Sequence, residues 1–166
     1  MVEMELVAVR IELPGNVPVV VLREVEGDRR LLPIFIGQPE AAAIAFALDG
    51  VVTQRPMTHD LMRDLIEALG AHAERVVITH IEEGTFFAEL HLRAGETAMK
   101  ISSRPSDAMA LALRVECPIF ATEDLLAEAG LVESVVADAD EEGAGEDVVE
   151  QFREFIDSVN PEDFAS

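Results

Sequence analysis

Two stretches of this chain, IGQPEAAAIAFAL (36–48) and SSRPSDAMALALR (102–114), share one plan. Each leaves an apolar strand and passes two residues, a proline and two more residues before an alanine-rich helix. Pro39 thereby matches Pro105, and Ala42 matches Ala108. Proline suits a first helical turn because the N–H it lacks would have no partner within the helix. Three strand-like segments precede each stretch. Ahead of the first, residues 4–13 alternate, 17–25 follow a turn, and 30–37 follow EGD. Ahead of the second, 74–82, 85–93 and 96–102 are separated by the turn pairs EG and AG, which suit tight hairpins. The pattern predicts a β3–α unit used twice, in an α+β fold whose antiparallel or mixed sheet carries short helices. A helix over 58–69 separates the units, with Thr58 as N-cap, Leu61, Leu65, Ile66 and Leu69 on one face, and Gly70 as the stop. Pro118 ends the helix of the second unit, IFAT reads as a short strand, and 123–130 as a short helix.

Composition narrows what such a fold can do. At 166 residues, 49% apolar, the chain can bury one core, and with eight Phe, no Trp and no Tyr that core is aliphatic. Aromatic platforms for single-stranded nucleic acid are correspondingly scarce. The single cysteine, Cys117, excludes an intramolecular disulfide framework and a cysteine-rich zinc site. The opening MVEMELVAVRIELPG has acids where a signal peptide has bases, and the apolar run 41–48 is too short to span a bilayer. A cytoplasmic protein with no membrane association is expected. The formal charge of −21 is uneven: residues 123–166 hold 15 acids against one base, and residues 1–122 hold 18 against 11. Bulk charge therefore opposes tight, non-specific binding of polyanions, although a bound divalent cation can supply positive charge locally. The boundaries that follow are a domain over 1–132, an acidic flexible linker over 133–146, and a C-terminal helix and tail over 147–166. That helix, with Val148, Val149, Phe152, Phe155 and Ile156 at helical spacing, could dock on the body or on a protein partner.

Three helix starts carry residues capable of chemistry. In SSRPSDA, a capped helix accounts for Pro105, Ser106 and Asp107, because a carboxylate in the first turn offsets free N–H groups. It does not account for Arg104, whose cation opposes the dipole; an Arg beside free N–H groups is also how a phosphate is held. RPMTHD repeats Arg-Pro before a helix, with His59 and Asp60 in its first turn. This is either a second cap with a surface histidine, or one wall of a cleft holding Arg55, His59 and Asp60 beside Arg104 and Asp107. Glu40, just after Pro39, is a third acid at a helix start. Carboxylates converging from several helix starts would suit Mg²⁺ or Mn²⁺, which prefer oxygen ligands. His80 and His91 lie on adjacent predicted strands whose register the pattern leaves open, and His72 lies in a helix-to-strand loop. Zinc-protease, P-loop, nucleophile-elbow and dinucleotide motifs are absent. Cys117 reads as a core thiol, with Glu116 beside it raising its pKa.

Five blocks in order, GQPEAAAIAFAL, RPMTHDL, TFFAELHL, RPSDAMALALR and PIFATEDLL, resemble the bifunctional nuclease domain family over roughly residues 4–131. The resemblance implies an α+β domain, a homodimer, and cleavage of RNA and DNA as transient substrates. It also marks a departure, since many relatives carry an acid where this chain has Ser102. On that reading Asp107, Asp60 and Glu40 hold a divalent metal that activates water. Arg104, Arg55 and Ser106 bind the phosphate, and His59 acts as general acid or as a ligand. The rivals are a non-catalytic regulatory or interaction protein and a small-anion or nucleotide binder using the same helix starts.

Overall fold

The computed structural model describes residues 1–12 and 15–132. Their elements run β1 (Val2–Glu12), β2 (Val17–Glu24), β3 (Leu31–Phe35), α1 (Gln38–Leu48), α2 (Thr58–Ala68), β4 (Ala71–Glu82), β5 (Thr85–Ala94), β6 (Thr97–Ser103), α3 (Pro105–Val115), β7 (Ile119–Ala121) and α4 (Glu123–Ala129). The acidic linker and C-terminal helix expected over 133–166 lie outside the described residues.

The strands form one sheet in the order β3-β2-β1-β7-β4-β5-β6. β4 and β7 run parallel, and the other neighbouring pairs are antiparallel. Two three-stranded meanders, each followed by a Pro-led helix, therefore flank β7, as the repeated sequence plan requires. Tight turns make the meanders. Between β4 and β5 the two-residue loop has Glu83 at φ 49° and Gly84 at φ 77°, the left-handed pair that matches strand twist.

The four described helices share one apolar core against one face of the sheet. It joins Val20, Leu22, Ile34, Val76, Ile78, Leu90 and Leu92 to Ile44 of α1, Met109 and Leu111 of α3, and Leu125 and Leu126 of α4. Alanines 41 and 43 of α1 and 108, 110 and 112 of α3 are buried, and the two small-residue helices pack against each other. Glu24, buried at the end of β2, accepts from Arg30 at 3.0 Å, and Arg30 also reaches Glu123 at 2.8 Å. That network ties the β2–β3 turn to α4.

α2 departs from the expected helix in two ways. Met57, not Thr58, is its N-cap residue, because the Asp60 carboxylate reaches back to accept the Met57 N–H at 2.9 Å. Its buried face is also rotated. His59 is buried, and Met62 and Ile66 pack on the core, whereas Leu61, Leu65 and Leu69 remain 51%, 52% and 80% exposed. Spacing alone permits either stripe; the position of α3 selects the one at 59, 62 and 66.

Candidate active site

α3 starts where β6 ends, so Arg104, the N-cap residue of α3, stands at the edge of the sheet. A cation there opposes the helix dipole, and two carboxylates offset it. Arg104 Nε donates to Asp107 Oδ2 at 2.7 Å and Nη2 to Oδ1 at 3.1 Å, a two-pronged contact one turn along the same helix. Nη2 also donates to Glu40 Oε1, from the start of α1, at 2.8 Å. From the start of α2, His59 Nε2 lies 3.2 Å from Asp107 Oδ1. Three helix starts thus deliver Glu40, His59, Arg104 and Asp107 to one cluster.

The cluster is graded from inside to outside. The His59 side chain is 9% exposed and Asp107 24%, whereas Arg104 is 64% exposed. Burial pushes the Asp107 carboxyl up, but hydrogen bonds from Arg104 and His59 together outweigh it and hold the pKa below its ordinary value. The same contact with Asp107, joined by Glu40 and opposed by burial, raises the pKa of Arg104. Nε and Nη2 are engaged, while Nη1 meets no hydrogen-bond acceptor among the described residues. An exposed guanidinium with two uncommitted protons, backed by a carboxylate and a buried imidazole, can take an anionic oxygen from solvent.

Other nominated residues sit elsewhere. Asp60 turns away from the cluster. Its Oδ1 accepts from Arg114 Nε at 2.6 Å, and its pKa falls, first through that bond and then through the Met57 N–H. Arg114 is 7% exposed and also donates to Ala110 O at 2.7 Å and Ala43 O at 3.1 Å, so it fastens α1, α2 and α3 together. Arg55 is exposed and forms no ion pair with the described residues. Ser106 is buried in the first turn of α3. Ser102 lies on β6 opposite Glu89 of β5. The carboxylates nominated for a divalent ion are therefore divided: Glu40 and Asp107 hold a guanidinium between them, and Asp60 holds another. No group of three or more His, Cys, Asp or Glu is arranged to bind a metal among the described residues. As they stand, these donors do not fit a divalent ion.

His80 and His91 do not face each other. The register sets His80 against Phe87, whose rings stack 4.5 Å apart, and His91 against Arg75. The Cys117 thiol is pushed up to about 11, and burial rather than Glu116 is the cause. Sequence reasoning missed Arg114. Its one signal is a basic side chain among the alanines and leucines of α3, and that signal names no partner.

Comparison with known proteins sets this geometry in a family. Residues 20–134 match the bifunctional nuclease domain. An uncharacterized protein of Mycobacterium tuberculosis is 51% identical over 98% of this chain and 97% of its own length. Bifunctional nuclease 2 of Arabidopsis thaliana is 30% identical over 64% of this chain, which covers 34% of that protein. Bifunctional nuclease 1 of the same plant is 29% identical over 61% of this chain and 32% of its own length. No described helix is long and apolar enough to cross a membrane.

Proposed function

The chain belongs to the bifunctional nuclease domain family, and from that premise we propose that it hydrolyses phosphodiester bonds of RNA and DNA at the Glu40–His59–Arg104–Asp107 cluster. The observation that carries the reading is the convergence of these four side chains from three separate helix starts. Nη1 of Arg104 takes a non-bridging phosphate oxygen, and Glu40 with Asp107 fixes the guanidinium plane. With Asp107 ionised, His59 keeps its proton on Nε2 and donates it to Oδ1, which leaves the Nδ1 lone pair free. As water oxygen bonds to phosphorus and the bond to the sugar oxygen on the opposite side breaks, Nδ1 accepts the proton lost by water, and the leaving oxygen takes its proton from solvent water. The positive charge facing the phosphate is that of Arg104.

A homodimer belongs to the same proposal. Leu61, Leu65 and Leu69 form an exposed stripe one turn apart on α2, with Val51, Val52 and Met57 also exposed in the segment before it. A patch of this kind suits a second copy of the chain.

The test is cleavage of fluorescein-labelled single-stranded RNA and DNA by the purified full chain, with EDTA, Mg²⁺ or Mn²⁺. Wild-type cleavage that is lost in Arg104→Ala and Asp107→Asn supports the site. Cleavage that persists equally in both variants overturns it. No cleavage in any condition transfers the cluster to the small-anion-binding reading, which needs only the exposed Nη1 edge of Arg104 and no chemistry.

A further inference from the structure

The proposed catalytic cluster accounts for one phosphate and leaves unexplained how a chain of charge −21 holds a polyanion. We propose that the face of β4, β5 and β6 opposite the helices is the track on which a single-stranded nucleic acid lies. This rests on the nuclease reading for its class of ligand.

Four observations point to that face. A cavity of about 280 Å³ lies between α2 and α3, but the larger one, of about 540 Å³, lies on this part of the sheet and is lined by Arg75, His91, Arg93 and Lys100, with Glu74 as its one acid. Arg93 pairs with Glu74, and Lys100 shares the neighbouring Glu89 with His91, so Arg75 is the cation of this face with no direct ion pair among the described residues. Arg75 Nε is buried and has no hydrogen-bond partner among the described residues. A buried, unpartnered donor is costly, and a ligand that draws the Arg75 guanidinium outward onto a phosphate oxygen would relieve that cost. At the other end, Phe87 shares the face of Glu89 and His91 on β5, and His80 stacks on it with the ring planes 2° apart. His80 is exposed, which leaves an aromatic surface for a base.

Register connects this track to the cluster. Phe87 to Arg93 spans about 20 Å of strand. Ser103 pairs with Ala88, so the chain reaches Arg104 where β6 draws level with Phe87. A strand with its phosphates over Arg75, Arg93 and Lys100 and a base on His80 would pass its next phosphate over the sheet edge to Arg104.

Fluorescence anisotropy of a labelled 12-nucleotide single strand, with the full chain in EDTA across a salt series, tests the track without cleavage. The background is Asp107→Asn, so that the probe survives. Adding Arg75→Ala and Lys100→Ala should weaken binding about tenfold at low salt and lower the slope of log K against log salt by about 1.4, the loss of two phosphate contacts. Adding His80→Ala, which removes the ring that the base covers, should weaken it about tenfold with the slope unchanged. Arg10→Ala, which removes an exposed cation elsewhere, should change neither quantity. Lys100 is 65% exposed, so Lys100→Ala alone keeps the comparison sound if Arg75→Ala disturbs the fold. In the otherwise native chain, the track variants should raise KM for the oligonucleotide and leave hydrolysis of bis(p-nitrophenyl) phosphate unchanged, because that substrate has one phosphodiester and no need of a track. Equal affinity and equal salt slope in all variants would overturn the proposal. Normal binding with no hydrolysis of either substrate would leave the track standing and remove the nuclease reading.

Discussion

Asp60 is the residue at which fold and chemistry make opposite forecasts. Its carboxylate lies 2.6 Å from a guanidinium that is 7% exposed and that ties three helices. Asp60→Ala removes the counter-charge and also the acceptor for the Met57 N–H. Breaking a buried pair from one side costs about 3–5 kcal/mol. Asp60 is itself about one-fifth exposed, and Arg114 keeps Ala43 O and Ala110 O as acceptors. The expected loss is therefore about 2–3 kcal/mol, at or below the lower end of that range. For a chain of this length it would lower Tm by roughly 5–12 °C. Urea unfolding gives the free energy directly, with m unchanged if only stability has moved. Cleavage per folded molecule, measured well below the new Tm, should stay within about threefold of wild type, since Asp60 touches none of the cluster. The double variant Asp60→Leu/Arg114→Met should recover part of the loss, because apolar pairs of similar volume often replace buried ion pairs at little cost. A variant Asp60→Ala that melts like wild type and has lost cleavage would refute this reasoning and return Asp60 to the reacting centre.

Asp107→Asn should cost only about 1 kcal/mol in urea unfolding, since Arg104 is largely exposed and keeps Glu40, yet it should reduce kcat by about 10²–10⁴ through the loss of the His59 partner. The lowered pKa values of Asp60, Asp107 and Glu24 stabilise the fold above the unfolded carboxyl pKa of about 4, and that contribution disappears as pH falls through the folded values. Thermal melts from pH 6 to 2 should show this acid limb, and it should be shallower in Asp60→Asn. With its thiol at about 11, Cys117 should react slowly with iodoacetamide at pH 8, the rate rising roughly tenfold per pH unit in the folded protein. Leu65→Glu/Leu69→Glu should shift the mass measured by light scattering from dimer to monomer with little change in Tm; an unchanged mass would place the dimer contact elsewhere.

The strands were legible because period-2 alternation and two-residue turns are local, and so were the helices with Pro in their first turn. The turned face of α2 was not. Leucines at 61, 65 and 69 and the apolar pair Met62 and Ile66 are adjacent stripes with equally good helical spacing. Only the placement of α3 decides which is buried. The partner of Asp60 was hidden for the same reason, since Arg114 lies 54 residues away. The stacked His80–Phe87 pair escaped a count of aromatics because one of its rings is a histidine in a bulged strand, where one extra residue sets the register.

The two Arg-Pro helix starts show how far local sequence reaches. In RPMTHD and RPSDAM the dipeptide is the same, yet Arg55 finds no ion pair among the described residues and Arg104 finds two. The third residue after each arginine differs. Asp107 follows Arg104 at the spacing that brings two side chains together on a helix turn, whereas Thr58 follows Arg55 and offers no charge. Arg104 is also the N-cap residue of its helix, while Arg55 stands two residues before Met57, the cap of α2. The i,i+3 pair was therefore readable from the sequence, and the unfavourable cation was never alone. What required the fold was Glu40, brought 64 residues along the chain by alanine-lined contact between α1 and α3. With Glu40 and Asp107 holding two of its three nitrogens, Arg104 has its plane fixed and one edge turned outward. That is the difference between an ion pair that only caps a helix and one that can receive a phosphate.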